Sequence, residues 1–299
     1  MPLFDSYLVV DWSAAAVPRV GKDSIWFCHL RRKSSGLVEA ALENPSTRFS
    51  AREKLLELLR AESAAGRSVL AGFDFPFGYS AGFAKRLGLA GTAWRATWDE
   101  LARLIEDNAA NRNNRFAVAA TLNECATGGP APFWACPIGA AGPCLGPKHH
   151  RRHEAEGLAE RRLTEHRIRG PQPVWKLAGI GSVGGQALTG IPVVRALRDD
   201  PELAPRTRIW PFETGLCPPR GGIVLAEVYP SFVKAEGHAV KDAAQVKSLA
   251  RHFGDLDDRG ELGSYFEGDP TLSHEERAAV LEEEAWILGV RGLPAIRRA

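Results

Sequence analysis

The chain has no apolar run approaching the roughly 18 residues that a membrane-spanning helix needs, so a bilayer-embedded protein is not expected. Its first residues, Met1-Pro2-Leu3-Phe4-Asp5, lack the basic region and cleavable apolar stretch of a secretory signal, which points to the cytoplasm. Disulfide chemistry is scarce too. Five cysteines (Cys28, Cys125, Cys136, Cys144 and Cys217) form an odd, scattered set that suits a reducing compartment rather than a disulfide framework. Nor is there an excess of charge: the formal net value of +2 argues neither for nor against a polyanionic partner, so any such signal has to come from local clustering. What is present is 44% apolar content in 299 residues, sufficient for a sizeable core in one large domain with insertions, or in two domains.

Three apolar stretches end in the same way. Tyr7-Leu8-Val9-Val10 runs into Asp11 and then small residues, which reads as a strand buried on both faces that delivers a carboxylate to its C-terminal edge. Ser68-Val69-Leu70-Ala71-Gly72-Phe73 runs into Asp74 and the turn-forming Pro76 and Gly78, and Ile223-Val224-Leu225-Ala226 runs into Glu227. A parallel sheet brings such acids together at the edge where α/β proteins keep their chemistry.

Between these landmarks, Ser24 to Leu30 and Gly36 to Ala40 read as a hairpin closed at Lys33-Ser34-Ser35, and a helix opening at Ser50 carries Leu55, Leu56, Leu58 and Leu59 before Gly66 ends it. The opening order is therefore β, β, β, α, β. From about residue 75 to 205 the composition shifts to irregular Gly, Pro, Asn and aromatic stretches between helices, as in a large insertion capping the carboxylate edge; Trp94 and Trp98, four apart, read as packing.

Residues 148–169 are the most basic part of the chain, with Lys148, Arg151, Arg152, Arg161 and Arg162 among them. This is a phosphate-contacting arm or a solvated helix offset by Glu154, Glu156, Glu160 and Glu165. Cys136, Cys144, His149 and His153 form a possible zinc set whose cysteine spacing is wide for the purpose. Gly179-Ile180-Gly181-Ser182-Val183-Gly184 matches a dinucleotide fingerprint, with Glu213 as a ribose reader, but Gly190 and Pro192 are expected to interrupt the helix it needs. The alternative is a glycine loop lying close to the acids.

Further on, residues 241–253 form a helix with an apolar stripe at Val246, Leu249, Ala250 and Phe253, and Asp242 in its first turn. A final helix opens with the capping box Ser273-His274-Glu275-Glu276 and carries Glu282, Glu283 and Glu284, of which Glu284 shares a face with Val280, Leu281 and Leu288.

Taken with this order of elements, the phrases Val10-Asp11-Trp12-Ser13-Ala14, Gly72-Phe73-Asp74-Phe75-Pro76-Phe77-Gly78, Gly181-Ser182-Val183-Gly184-Gly185-Gln186, Trp210-Pro211-Phe212-Glu213-Thr214-Gly215, Glu227-Val228-Tyr229-Pro230 and Glu283-Glu284-Ala285-Trp286-Ile287-Leu288-Gly289 resemble an uncharacterised bacterial family described as predicted nucleases of the ribonuclease H-like fold. That family's activity is itself inferred from its fold. The resemblance implies an α/β fold with a mixed sheet flanked by helices, a core of residues 1–74 and 206–299, and a mostly helical and irregular insertion at 75–205. It also implies metal-binding carboxylates at Asp11, Asp74 and Glu227, with Glu284, Glu283 or Asp242 as the helix acid. Oxygen-only ligands favour Mg²⁺ or Mn²⁺, and two such ions would hydrolyse a phosphodiester in nucleic acid or a phosphorylated small molecule. Two other readings stay open: an ATP-dependent phosphotransferase of the sugar-kinase or actin type, although the turn Trp12-Ser13-Ala14-Ala15-Ala16 lacks the glycine that phosphate-binding turns use, or a catalytically silent binding protein.

Overall fold

The computed structural model describes residues 1–149 and 157–291. Among them the chain order is β1 (Ser6–Asp11), β2 (Trp26–Lys33), β3 (Gly36–Glu43), α1 (Arg48–Ala64), β4 (Val69–Phe73), α2 (Phe83–Arg86), α3 (Ala93–Leu104), α4 (Arg115–Thr127), α5 (Leu163–His166), α6 (Gly184–Asp199), β5 (Thr207–Ile209), β6 (Ile223–Glu227), α7 (Lys241–Asp258) and α8 (His274–Ala279). The strands form one six-stranded mixed sheet in the order β3-β2-β1-β4-β6-β5. β2 is antiparallel to both of its neighbours, whereas β4 pairs parallel with β1 and with β6, and β5 pairs parallel with β6.

Strand periodicity explains why this sheet sits between helices. Alternate residues point to opposite faces. Leu8 and Val10 of β1, Ala71 and Phe73 of β4, and Ile223 and Leu225 of β6 join a core with Leu55 and Leu59 of α1, Trp98 of α3, Leu122 of α4 and Ile191 of α6. Tyr7, Val9, Leu70, Val224 and Ala226 face the other way, onto Val246, Leu249 and Phe253 of α7 and onto Trp286 and Leu288. A β-branched and aliphatic strand with both faces covered reads as an unbroken apolar run, as β1, β4 and β6 do. Helices from within 75–205 share the α1-side core, and Trp94 and Trp98 are buried there, as expected of packing residues.

Local details depart from the sequence expectation in two places. Thr47, not Ser50, caps α1: its hydroxyl accepts from the Ser50 N–H at 3.1 Å, so the helix begins at Arg48. Helix α6 runs unbroken through Gly190 and Pro192. Burial of Leu188, Ile191, Val194 and Leu197 along its length holds it despite the proline, and Gly190 has its own steric reason. A Cβ there would lie 2.4 Å from the Phe75 ring, so only glycine lets the segment after Asp74 pack on the helix. The capping box at Ser273 and Glu276 is present as expected.

Candidate functional site

Because β1, β4 and β6 are adjacent and parallel, their C-terminal ends place Asp11, Asp74 and Glu227 along one sheet edge. A cleft of about 900 Å³ opens there. Its lining includes all three acids, Asp23, Asp242, Arg19, Lys22, Arg115 and the residues before α6.

Glu227, one of the expected ligands, is already paired in this structure. It is 3% exposed, and Arg162 donates to both of its oxygens, Nη1 to Oε2 at 2.8 Å and Nη2 to Oε1 at 2.6 Å. The Phe77 N–H donates to the same Oε2 at 3.0 Å. Arg162 is itself 1% exposed, bonded through Nε to Glu165 at 2.9 Å and through Nη1 to the Glu284 carbonyl at 2.8 Å, so it is a buried cross-brace rather than a phosphate contact. A buried guanidinium has to be matched by carboxylates, and these two acids match it.

Glu283 and Glu284 are also spent. The Gly82 and Ala84 N–H groups donate to Glu283, each at 2.6 Å, at the start of α2. Glu284 accepts from the Ala81 N–H at 2.9 Å and the Leu163 N–H at 2.6 Å. Burial pushes both carboxyls above the ordinary range, and the backbone donors oppose that rise. The close backbone approach that this needs is visible at Gly78, where a Cβ would fall 2.1 Å from the Glu283 carbonyl oxygen. These two glutamates fasten the segments around 80 and 163 to the C-terminal turn of residues 280–284.

Asp11 and Asp74 behave differently. Both line the cleft, and the charge of Asp74 acts directly on the Asp11 carboxyl. Burial, then the charge of Asp74, then that of Asp242 and Asp23, hold the Asp11 carboxyl well above the usual range. Burial raises Asp74 to about 6, against the pull of the Trp12 N–H, which donates to its Oδ1 at 2.7 Å. Asp242, in the first turn of α7, accepts from the Asp23 N–H at 2.7 Å. Of the three candidate helix acids, Asp242 is thus the one beside the pair. No lysine or arginine forms an ion pair with Asp11, Asp74, Asp23 or Asp242 among the described residues.

The loop after Asp11 is held by Arg48, buried at 1% exposure, which donates to the Ser13 and Ala15 carbonyls at 2.9 and 2.7 Å. The same guanidinium bonds Asp107 and the Asn111 carbonyl, so it joins the strand end to the turn that precedes α4.

Other expectations resolve as follows. Lys148 is exposed and outside the cleft lining, Arg161 donates to the Pro171 carbonyl at 2.9 Å, and Arg151, Arg152 and His153 lie outside the described residues. Cys136 is buried, Cys144 is half-buried, and His149 lies 3.5 Å from Glu160. No group of three or more His, Cys, Asp or Glu side chains converges on a metal position among the described residues. Residues 179–184 do precede a helix, but Lys176 forms only an isolated bridge with Trp134, so no strand feeds the turn as a dinucleotide fold requires. Glu213 pairs with Arg198 at 2.7 Å, which occupies the proposed ribose reader. Sequence reasoning passed over Asp23, Arg19, Lys22 and Arg115; only the topology brings them to the acids.

Compared with protein-family models, with curated proteins and with solved structures, the chain matches none, so the site is read from its own geometry. No helix among the described residues is long and apolar enough to cross a membrane.

Proposed function

We propose that the Asp11–Asp74 cleft is the active site of a divalent-cation-dependent phosphodiester hydrolase of nuclease type. The observation that carries this reading is the contrast in charge balance. Asp11 and Asp74 line an open cleft with no cationic side chain paired to them among the described residues, while Glu227 is matched by Arg162 and Glu283 by backbone donors. Strained, unneutralised acids in a cleft are a signature of functional groups. The strand order, with β2 antiparallel and β4 and β6 extending in parallel from β1, is compatible with a ribonuclease H-like arrangement.

The donor set fits Mg²⁺ or Mn²⁺. All donors are hard oxygens, and Mg²⁺ is ordinarily held by one or two carboxylates together with waters and substrate phosphate rather than by a full protein cage. Asp11 and Asp74 would hold the ion, and Glu227, Glu283 and Glu284 would not. When bound, the cation supplies Lewis-acid polarisation of a phosphoryl oxygen and a more acidic water. The chain's own residues do the rest. The Trp12 N–H fixes the orientation of Asp74 and the Asp23 N–H tethers Asp242, which would take the proton from the attacking water as the P–O bond to the leaving oxygen breaks and that oxygen is protonated from solvent. Arg19 and Lys22, on the cleft lining, draw a polyanionic substrate toward the acids, which alone would repel it.

The test is a Mn²⁺ titration in a melting assay, alongside incubation with single-stranded, duplex and structured nucleic acids. Wild type gains stability with Mn²⁺ because the unfolded chain does not reproduce the site. Asp11→Asn keeps the side chain's size and loses both the metal response and the phosphodiesterase activity. An unchanged metal response in Asp11→Asn removes Asp11 from the site. Stabilisation by nucleotide with Mg²⁺ but not by Mn²⁺ alone points to the phosphotransferase, and no response to either points to a silent binding protein.

A further inference from the structure

The cleft draws its free cations and its free neutral polar groups from different parts of the chain. Arg19 and Lys22, both exposed, belong to the connection between β1 and β2 and line the cleft. Neither side chain forms an ion pair or a hydrogen bond among the described residues, unlike the matched guanidiniums of Arg48 and Arg162. The neutral groups come from later segments. Gln245 lies three residues after Asp242, so both project from one face at the start of α7, and both line the cleft. Tyr229 and Ser231 leave β6 just beyond Glu227 and line it too. The side chains of Gln245, Tyr229 and Ser231 have no hydrogen-bond partner among the described residues, although Gln245 and Tyr229 are half-buried.

The phenol of Tyr229 is held in place. Its ring meets that of Phe232 edge-on at 5.6 Å, and a Cβ on Gly170 would fall 2.5 Å from its hydroxyl oxygen. Gly170 has a φ of +113°, so only glycine lets the backbone beside Pro171 and Gln172 lie against the phenol. These neutral groups are not what a phosphate alone calls for. A phosphate oxygen only accepts and is served best by cations, whereas an amide and a hydroxyl both donate and accept. Donors and acceptors side by side are what the edge of a nucleobase presents. In a duplex those edges lie in grooves that a projecting helix or strand reads, not groups recessed in a cleft. The volume of about 900 Å³ lies within the roughly 300–1,000 Å³ of sites that enclose small ligands, which admits an unpaired base but not the body of a duplex.

We propose that the cleft binds an unpaired nucleic-acid strand, with a base against Tyr229 and Gln245 and the neighbouring phosphates along Arg19 and Lys22. As a substrate class, this rests on the reading of the cleft as a phosphodiester site. Both sets of groups line the cleft that holds Asp11 and Asp74, so a nucleotide engaging both carries its phosphodiester into the space beside the acids. Arg19 and Lys22 supply affinity without regard to sequence, and Tyr229 and Gln245 supply preference among bases.

The test is fluorescence anisotropy with end-labelled adenine, cytosine and thymine homopolymers of about a dozen nucleotides, and a blunt duplex of equal length, in EDTA so that nothing is cleaved. Wild type is expected to bind its preferred strand about tenfold or more tighter than the duplex. Gln245→Ala and Tyr229→Phe are each expected to weaken that binding about threefold or more and to change the ranking of the homopolymers, with the salt dependence unaltered. Replacing Arg19→Gln and Lys22→Gln together is expected to weaken all strands alike and to reduce the slope of log affinity against log salt by about 0.7 per charge removed. Far-UV circular dichroism checks each variant; if Gln245→Ala does not fold, Tyr229→Phe, which loses a single oxygen, decides. Duplex bound as tightly as single strand, no binding of single strand, or folded Gln245 and Tyr229 variants that bind every homopolymer as wild type does, overturns the proposal. Each of these results leaves the hydrolase reading standing where Mn²⁺ response and phosphodiesterase activity are present. Strand binding with both dependences, in a protein with no Mn²⁺ response and no hydrolysis, keeps the strand site and removes the hydrolase reading.

Discussion

Two groups of acids share one sheet edge, and they differ in what neutralises them. Glu227, Glu165, Glu283 and Glu284 surround Arg162 and a set of backbone N–H groups, with donor distances of 2.6 to 3.1 Å. Asp11 and Asp74 have each other, one backbone N–H, and the repulsion of Asp242 and Asp23. The first group is a structural knot. The second is held with its carboxyls pushed above their usual range by burial and by neighbouring acid charges. An apolar strand ending in an acid therefore says where a carboxylate is, and its partner decides what it does.

The comparison breaks most easily at Arg162. Arg162→Met leaves Glu227 and Glu165 buried without a counter-charge, and a broken buried pair costs about 3–5 kcal/mol. Urea denaturation is expected to show a loss of that size, and a loss below about 1 kcal/mol would mean that the knot is not structural. Glu283→Ala removes the acceptor for two N–H groups at the start of α2, at an expected cost of about 2–3 kcal/mol in the same assay.

The aspartates should respond with the opposite sign. In metal-free protein at pH 7, Asp11→Asn is expected to be neutral or to raise stability by about 1–2 kcal/mol, because it removes a charge the fold disfavours. The pH profile sharpens the point. Asp74 ionises near its ordinary 3.8 when unfolded but only at about 6 when folded, so its contribution is fully present below the lower value and is lost as pH rises through the upper one. Melting temperature of the metal-free protein should carry a downward component between pH 4 and 6 that Asp74→Asn flattens. An identical slope in the variant would assign it to other groups.

The smallest effect is expected at Asp242→Asn. The amide oxygen still accepts from the Asp23 N–H, so stability shifts by no more than about 0.5 kcal/mol. If the proposed function holds, activity falls far more than stability does, which separates the proton-accepting role from a structural one.

The strands were legible in the sequence because their signal is local. Residues 7–10, 69–73 and 223–226 are apolar on both faces, and burial on both faces is what they show. The alignment of their ends follows from parallel pairing. Partnership was not legible, because it is settled by segments far away: Arg162 sits 65 residues from Glu227, inside a stretch whose basic composition suggested solvent and phosphate. Glu283 and Glu284 looked like candidate ligands for the same reason that they are buried, since an inward-facing acid needs a partner, and here the partners are N–H groups with no sequence signature. Helix α6 ran on through Pro192 because tertiary burial outweighed propensity.

The Arg162 knot also has a direction in time. During synthesis Arg162 leaves the ribosome first, Glu227 follows 65 residues later and the Glu284 carbonyl 122 residues later. At the usual elongation rate of about 5–20 residues per second, the guanidinium waits roughly 6 to 24 seconds for its last acceptor. Until Glu227 is made, Glu165 is the only one of its two carboxylate partners present, so burying the guanidinium is costly over the first 65 residues of that interval.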